Sequence, residues 1–306
     1  MSSLTVMILT FNEERHIARA IDSVASIASA VIVIDSHSTD RTLEIARAKG
    51  ATVLQNKFVS QAQQFQWAID NTVVDSTWVM RLDADEVVSP ELAAEITQRL
   101  DALPAQVVGV ELRRRHIWMG RWVRHGGRYP VVLLRIWRRG HGRVEDRWMD
   151  EHMLVWGGET LTFEHDFADV NLNDIGYFID KHNKYATREA IEVVNRRVGL
   201  FAREAGVRRR GGSGLARLTH WIKESAYPRI PFTVTAPGYF LWRYIVLLGF
   251  LDGRSGLVYH FMQGCWYRLL IGAKVMELEQ AIAHLSDKHE IARELSRLTG
   301  QPIRAD

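Results

Sequence analysis

Cysteine is almost absent from this chain: Cys265 is the lone one among 306 residues. One thiol excludes an intramolecular disulfide framework and fits a reducing compartment. Long apolar runs are missing too. No stretch reaches the roughly 20 apolar residues that cross a bilayer as a helix. The most apolar segments, 239–251 and 257–273, are broken by Arg243, Asp252, Arg254, His260 and Arg268. No secretory leader is visible, since residues 1–10 run straight into a strand pattern, and the expected location is the cytoplasm. Glycine-rich phosphate loops are absent as well. Neither GxxxxGK[ST] nor GxGxxG follows the first predicted strand, which removes the two commonest nucleotide signatures. No internal repeat is present.

The formal net charge is only +3, but it is unevenly spread. Eleven arginines (Arg113, Arg114, Arg115, Arg121, Arg124, Arg128, Arg135, Arg138, Arg139, Arg143 and Arg147) face Glu111, Glu145 and Asp146 in one block. Such a block attracts anions, whether nucleic acid, phosphorylated sugars or an acidic membrane face, unless it is a solvated surface.

The first hundred residues alternate in a βα rhythm. Short apolar runs at 4–9, 30–34, 52–54 and 78–82 predict strands, and patterns at 13–24, 39–49, 61–71 and 90–100 predict helices. Ser38 and Asp40 precede one helix, Ser89 stands before Pro90 at the start of another, and Gly50 sits where a helix should stop. Strands and helices of these lengths imply an α/β fold, a mostly parallel sheet with helices on both faces. Further strands are predicted at 107–113, 131–137 and 153–155. From Asn171 the chain turns helical, with a helix at 174–205, the basic linker Arg208–Gly214 and helices to the end. The division expected is 1–170 and 171–306. A last helix at 274–298 carries Val275, Leu278, Ile282, Leu285, Ile291, Leu295 and Leu298 at three- and four-residue steps. That stripe suits docking on the body or on a second copy, which makes a homo-oligomer through these helices a further expectation.

In an open parallel sheet, ligands bind beyond the carboxyl ends of the strands. Strand one ends in Thr10-Phe-Asn12-Glu13-Glu14, strand two in Asp35-Ser-His-Ser38-Thr-Asp40, and strand four in Asp83-Ala84-Asp85-Glu86. Each has an ordinary explanation as helix capping or a solvated turn. Three at one sheet edge suggest a site. Residues i and i+2 of an extended segment point the same way, so Asp83 and Asp85 can converge on one hard divalent cation held against a diphosphate. Asp35 can accept hydrogen bonds from a base or ribose.

These three motifs together resemble the nucleotide-sugar-binding half of a family 2 glycosyltransferase with the Rossmann-like GT-A fold, over residues 4 to about 155. The resemblance implies a nucleotide-binding set of Thr10, Asn12, Glu13, Glu14, Asp35, Ser38, Asp83 and Ala84. It also implies Mg2+ or Mn2+ at Asp83 and Asp85, a UDP-sugar donor and an inverting displacement. Asp150-Glu151-His152 resembles the His-Glu position of lipopolysaccharide-core members, with Asp where His is usual. Asp150 and Glu151 therefore compete for the role of general base, with Glu151 favoured and the pair Glu145-Asp146 a further candidate. His165 is a candidate third metal ligand, or an ordinary hydrogen-bonding residue. The segment Lys181–Tyr185 also resembles that subfamily and is placed to steady diphosphate or acceptor, or to form an exposed helix face.

The run Gly249-Phe-Leu-Asp-Gly253 is similar to an element of bacterial glucosyltransferases of the lipopolysaccharide inner core. Helices rich in Trp, Tyr and Phe interleaved with Arg suit a bilayer interface, or form the core of a helical appendage. Arg208–Arg210, Arg217 and Arg229 are the expected contacts for anionic head groups. The expectation is thus a glucosyltransferase peripheral to the cytoplasmic face of the inner membrane, acting on a lipid-linked saccharide or lipid A core. A polyprenyl-phosphate sugar transferase and a non-catalytic lipid-surface or nucleotide-binding protein are the alternatives. A sugar-1-phosphate nucleotidyltransferase should carry a glycine-rich loop after strand one, which is absent. A nucleic-acid module leaves the acidic strand ends unexplained, so no nucleic-acid partner is expected.

Overall fold

A computed structural model describes residues 3–145, 152–201 and 231–305. The chain forms two compact units, Met1–Leu172 and Asn173–Asp306.

The first unit is built on alternation. Strand β1 (Leu4–Thr10) buries Leu4, Val6 and Ile8 on one face of the sheet and Met7 on the other. The first face is covered by α1 (Ile17–Val24) and α4 (Pro90–Arg99), through Ile17, Ala20, Ile21, Leu92 and Ile96. The second is covered by α3 (Gln61–Asn71), through Ala62, Phe65 and Ala68. A strand buried on both sides reads as a continuous apolar run, as residues 4–9 do. Completing the early rhythm are β2 (Ala30–Asp35), α2 (Thr42–Ala48), β3 (Thr52–Gln55), β4 (Trp78–Asp83) and β5 (Glu86–Val88).

After α4 come β6 (Val107–Trp118), β7 (Arg121–Trp122), β8 (Val131–Arg138), β9 (Gly142–Val144), β10 (Met153–Val155) and β11 (Glu159–Val170). Among the described residues the main sheet has the order β3-β2-β1-β4-β8-β6-β11-β5, with β7 on β6, while β9 and β10 form a separate ribbon. Strands β3, β2, β1 and β4 are parallel; β8 is antiparallel to β4 and β6, and β5 to β11. The mixed α/β sheet with helices on both faces is the architecture the motifs imply.

Two helices start later than periodicity predicts. Residues 13–16 form a turn in which the Glu13 carbonyl accepts from the amides of His16 and Ile17, both at 2.9 Å. Helix α2 begins at Thr42 rather than 39, because Asp40 accepts from the Thr42 amide at 3.0 Å and holds the chain out of the helix until then. Helix α3 starts where Ser60 accepts from the Gln63 amide at 3.1 Å, and α4 where Ser89 accepts from Leu92 at 3.1 Å, with Pro90 in the first turn. Strand β11 is absent from the sequence reading, since 159–170 mixes Glu, His and Asp with its apolar residues. Its pairing with β6 and β5, not its own pattern, makes it a strand.

The second unit contains α5 (Ile175–Val198), α6 (Phe232–Leu241), α7 (Gly253–Phe261), α8 (Tyr267–Ile282) and α9 (Lys288–Thr299). The predicted single helix at 274–298 is two helices. Asp287 accepts from the Glu290 amide at 2.9 Å and opens α9 afresh. The stripe still docks as a unit. Val275, Leu278, Ile282, Ile291 and Leu295 bury against Ala190, Ile191 and Val194 of α5, while Leu298 stays exposed. The helix expected at 174–205 ends at Val198, where Gly199 takes φ +67 and its amide returns to the Asn195 carbonyl at 2.7 Å. The basic linker Arg208–Gly214 and the other candidate head-group contacts, Arg217 and Arg229, lie outside the described residues.

At the start of β11, a Cβ built on Gly158 would stand 2.3 Å from the Gln106 carbonyl oxygen, a backbone atom that cannot swing aside. Gly158→Ala is therefore expected to destabilise the first unit by about 1–3 kcal/mol. A lower urea midpoint at unchanged slope would show it.

Candidate functional site

The register of three parallel strands assembles the site. Thr10 pairs with Asp35 across β1 and β2, and Leu9 pairs with Asp83 across β1 and β4. The loops leaving β1 and β2 then meet and satisfy one another. The Asn12 amide donates to Ser38 Oγ at 2.8 Å, and the Thr39 amide to Asn12 Oδ1 at 2.8 Å. The Glu13 amide donates to Thr42 Oγ1 at 2.8 Å and the Glu14 amide to Asp40 Oδ2 at 3.1 Å, while the Glu14 carboxylate accepts from the Arg41 amide at 3.1 Å. Asn12 and His37 hold φ of +54 and +62, left-handed values that non-glycine residues seldom adopt outside constrained sites.

Asp35 is fully buried. It accepts from Thr10 Oγ1 at 3.2 Å, the Ser38 amide at 2.9 Å, Gln55 Nε2 at 3.1 Å and the Ser38 hydroxyl. A carboxylate offers about four lone-pair positions, and these partners fill them. In this structure the carboxylate is the knot tying the two loops. Phe11, which the sequence reading passed over, is 55% exposed at the same strand end and presents its ring outward.

Glu13 has a comparable structural task. Nε2 of buried His16 accepts from the Leu172 amide at 2.8 Å, so the ring proton is on Nδ1 and donates to Glu13 Oε2 at 2.6 Å. The chain beyond β11 is thereby fastened to the loop after β1.

Asp83 and Asp85 lie at the end of β4, partly exposed. Ala84 between them turns its methyl into the core. Arg81 Nε stands 3.3 Å from Asp83 Oδ1 and Arg135 Nη2 3.4 Å from Oδ2. Burial by itself would raise the Asp83 carboxyl, but the two guanidinium groups outweigh it and hold it well below the usual carboxylate range. Glu86, 2% exposed, bonds Arg135 and accepts from the Asp83 amide at 2.9 Å. Its burial, helped by the neighbouring charge of Asp83, prevails over Arg135 and pushes the carboxyl up to about 8. Asp85 accepts from Asn171 Nδ2 at 3.0 Å, and its own carbonyl accepts from the Val170 amide at 2.9 Å. Arg135 and Asn171 were missed because nothing in the local sequence ties them to the acids, 49 and 86 residues away, whereas Arg81 lies two residues before Asp83 on β4 and its role was not drawn.

His165 is not at this place. Asp169 pairs with Glu86 and Val170 bonds Asp85, so His165 lies five residues back along β11. There its Nδ1 stands 2.9 Å from Glu95 Oε2, and its amide donates to the same oxygen at 3.0 Å. The third-ligand expectation is corrected accordingly. Among the described residues no group of three His, Cys, Asp or Glu is placed to hold a metal. Two carboxylates do fit Mg2+ or Mn2+ when diphosphate and water supply the remaining oxygens. Asp83 and Asp85 are partly exposed, and Asp83 is ionised.

Asp146, Asp150 and Glu151, the candidate bases, lie outside the described residues. The chain on either side is fastened together: Met153 pairs with Val144, and the Glu145 amide donates to the His152 carbonyl at 2.8 Å. Much of the arginine block turns out to be spent internally. Arg113 donates to the Glu164 carbonyl, Arg114 and Arg115 pair with Asp169 and Asp166, and Arg138 and Arg139 bond the carbonyls of Leu103, Val107 and Val74. In the second unit, His182 Nδ1 donates to the Phe178 carbonyl at 2.8 Å, and its Nε2 accepts from Gln263 at 2.7 Å. Burial lowers its pKa, in keeping with a neutral ring. This part of the Lys181–Tyr185 segment holds helices together.

Residues 5–169 match the family model described as glycosyl transferase family 2. A glycosyltransferase of Rickettsia typhi is 44% identical over 96 residues, 31% of this chain and 32% of that protein. The chain thus spans about a third of the length of the first curated relatives it matches. The lipopolysaccharide core biosynthesis glycosyltransferase LpsC of Rhizobium meliloti is 26% identical over 272 residues, 85% of this chain and 89% of that one. Among solved structures, glucosyl-3-phosphoglycerate synthase of Mycobacterium tuberculosis, in complex with Mn2+, UDP and glucosyl-3-phosphoglycerate, aligns over 37% of this chain and 43% of that one. The identity is 22% and the TM-score 0.31.

Removing Arg135 takes the ionic partner from buried Glu86 and leaves Asp83 with Arg81 alone. Arg135→Met is expected to cost about 1–3 kcal/mol, the range for a buried polar group that loses its partner, seen as an earlier guanidinium midpoint. The double variant Arg135→Met/Glu86→Met should regain much of the loss, because the buried carboxyl left without its partner is then gone as well.

Proposed function

The chain belongs to glycosyl transferase family 2, and we propose on that premise that it transfers glucose from UDP-glucose to a saccharide of the lipopolysaccharide-core type. The observation that carries this reading is the convergence, by strand register, of the loops after β1 and β2 with Asp83 and Asp85 after β4. The similarity to LpsC, over 85% of this chain, supports the acceptor class.

In this reading the Asn12–Ser38–Thr39 loop pair forms the wall for the nucleoside, and Phe11 offers a ring face to the base. Asp35, through Thr10, Ser38 and Gln55, keeps that wall in place without touching the ligand. Asp83 and Asp85 would hold Mg2+ or Mn2+, which offsets the charge on the departing diphosphate. Arg81 and Arg135 keep Asp83 ionised for that purpose.

The acceptor hydroxyl oxygen forms its bond to the anomeric carbon as the bond to UDP breaks. The hydroxyl proton passes to a carboxylate, and the configuration inverts. Glu151 is the proposed base, with Asp150 and Asp146 as the rivals. A base of this kind contributes about 10²–10⁴-fold, so Glu151→Gln should lower kcat by that factor while the donor still binds. Turnover at the wild-type rate in single-turnover assays would move the role to Asp150 or Asp146.

The donor reading has its own test. UDP-glucose with Mn2+ should raise the melting temperature, and Asp83→Ala/Asp85→Ala should abolish the metal-dependent part of the rise. No shift with any nucleoside diphosphate sugar would remove the proposal.

A further inference from the structure

In the segment from α6 to α7 the usual placement of polar and apolar residues is reversed. From Pro231 to Leu251 the sequence carries a single charge, Arg243, and that residue is buried, only 6% exposed. Asp252 and His260 are buried too, with Asp252 Oδ2 and His260 Nε2 3.7 Å apart and Arg243 over the rings of Tyr239 and Tyr259. Meanwhile Trp242, Ile245, Val246, Leu248, Phe250 and Leu251 all point outward, between 45% and 55% exposed. Charged residues are seldom buried and large apolar residues seldom cluster at a water-facing surface. Both exceptions occur within residues 242–260.

The backbone shows that this is a built feature. Between Val246 and Gly249 the helical path bends by 76°. Gly249 packs against His260 and the Arg243 carbonyl, where a Cβ would stand 2.7 and 2.8 Å away. Farther from the bend, Gly264 lies against Phe240 and Gly272 against the Phe232 ring, so α6 folds back along the segment that leads into α8. The glycines allow close approach, and the apolar side chains are left at the apex.

Length decides the mode of insertion. No single helix among the described residues is long and apolar enough to cross a membrane. The arm Phe232–Val246 has 15 residues and extends roughly 22 Å, short of the roughly 30 Å hydrocarbon core.

We infer that the bend formed by Phe232–Val246 and Gly249–Ile282 is a re-entrant membrane anchor whose apolar apex enters one leaflet of a phospholipid bilayer. A lipid occupant accounts for both halves of the reversal: hydrocarbon takes the outward Leu, Ile and Phe, and the interior shields Arg243, Asp252 and His260. Trp242 belongs at the level where aromatic rings meet head groups, and exposed Arg254 is available to phosphate. This anchor is independent of which donor or acceptor the first unit uses.

The test is co-flotation of the full chain with vesicles of phosphatidylcholine and phosphatidylglycerol. The protein should float, and continue to float at high salt, because apolar insertion is not screened. Ile245→Glu/Phe250→Glu should lower the floated fraction about tenfold or more, since charge in hydrocarbon is strongly disfavoured. In water these exposed sites tolerate charge, so the variant should keep the wild-type melting temperature and UDP-glucose hydrolysis. Acyl-brominated phosphatidylcholine should quench tryptophan emission, and Trp242→Phe should remove most of that quenching. Three results overturn the inference: wild type that stays with the soluble fraction, a variant that floats as well as wild type, or a detergent-free dimer that the variant dissociates without any flotation. The last would make a second copy of the chain the occupant.

Discussion

The parallel register of β1 with β2 and β4 is the constraint on which the rest of the first unit depends. Thr10 stands opposite Asp35 and Leu9 opposite Asp83. A slip of one residue would turn every side chain of β1 to the other face, exchanging Leu4, Val6 and Ile8 for Thr5, Met7 and Leu9. Both faces of the strand are covered by different cores, so no alternative register buries the same surface. Once the register holds, the loops after β1 and β2 have no choice but to meet. Their backbone amides are then satisfied by each other's side chains, as buried or crowded polar groups must be.

A second consequence is the placement of charge. Three carboxylates, Asp83, Asp85 and Glu86, stand within four residues at a sheet edge. Unbalanced, they would repel one another and any phosphate. Strand β8 brings Arg135 to Glu86 and Asp83, and Arg81 comes from β4 itself. Pairing makes the carboxylates different: Asp83 is held ionised, while Glu86 behind it is pushed towards neutrality. The arginine block that looks like an anion-binding surface in the sequence is, to a large extent, the internal counterpart of Asp83, Glu86, Asp166 and Asp169 and of backbone carbonyls.

The second unit uses the same residue types in opposite ways. Around α8 and α9, leucines and isoleucines bury against α5 and leave Glu and Arg to water. Around the bend between α6 and α7, the charged groups are inside and the apolar ones outside. The two arrangements lie in one stretch of chain and call for two different surroundings.

Much of the fold was legible because its signals are local. Apolar runs of strand length, Ser89 and Pro90 at a helix start, and Gly50 at a helix end all act within a few residues. The three acidic strand ends were legible for the same reason, and so was the family they resemble. What lay beyond reach depends on partners distant in sequence. Strand β11 exists through β6 and β5. Asn171 finds Asp85, Arg135 finds Glu86, and Glu95 claims His165, across separations of 49 to 86 residues. Asp35 looks in sequence like a ligand-binding acid; the four donors that occupy it come from three different segments. The sequence by itself determined which residues must be buried and where chain direction changes, since hydrophobic periodicity and capping are short-range. Only the tertiary structure decided which charge meets which, because electrostatic pairing depends on distance in space rather than along the chain.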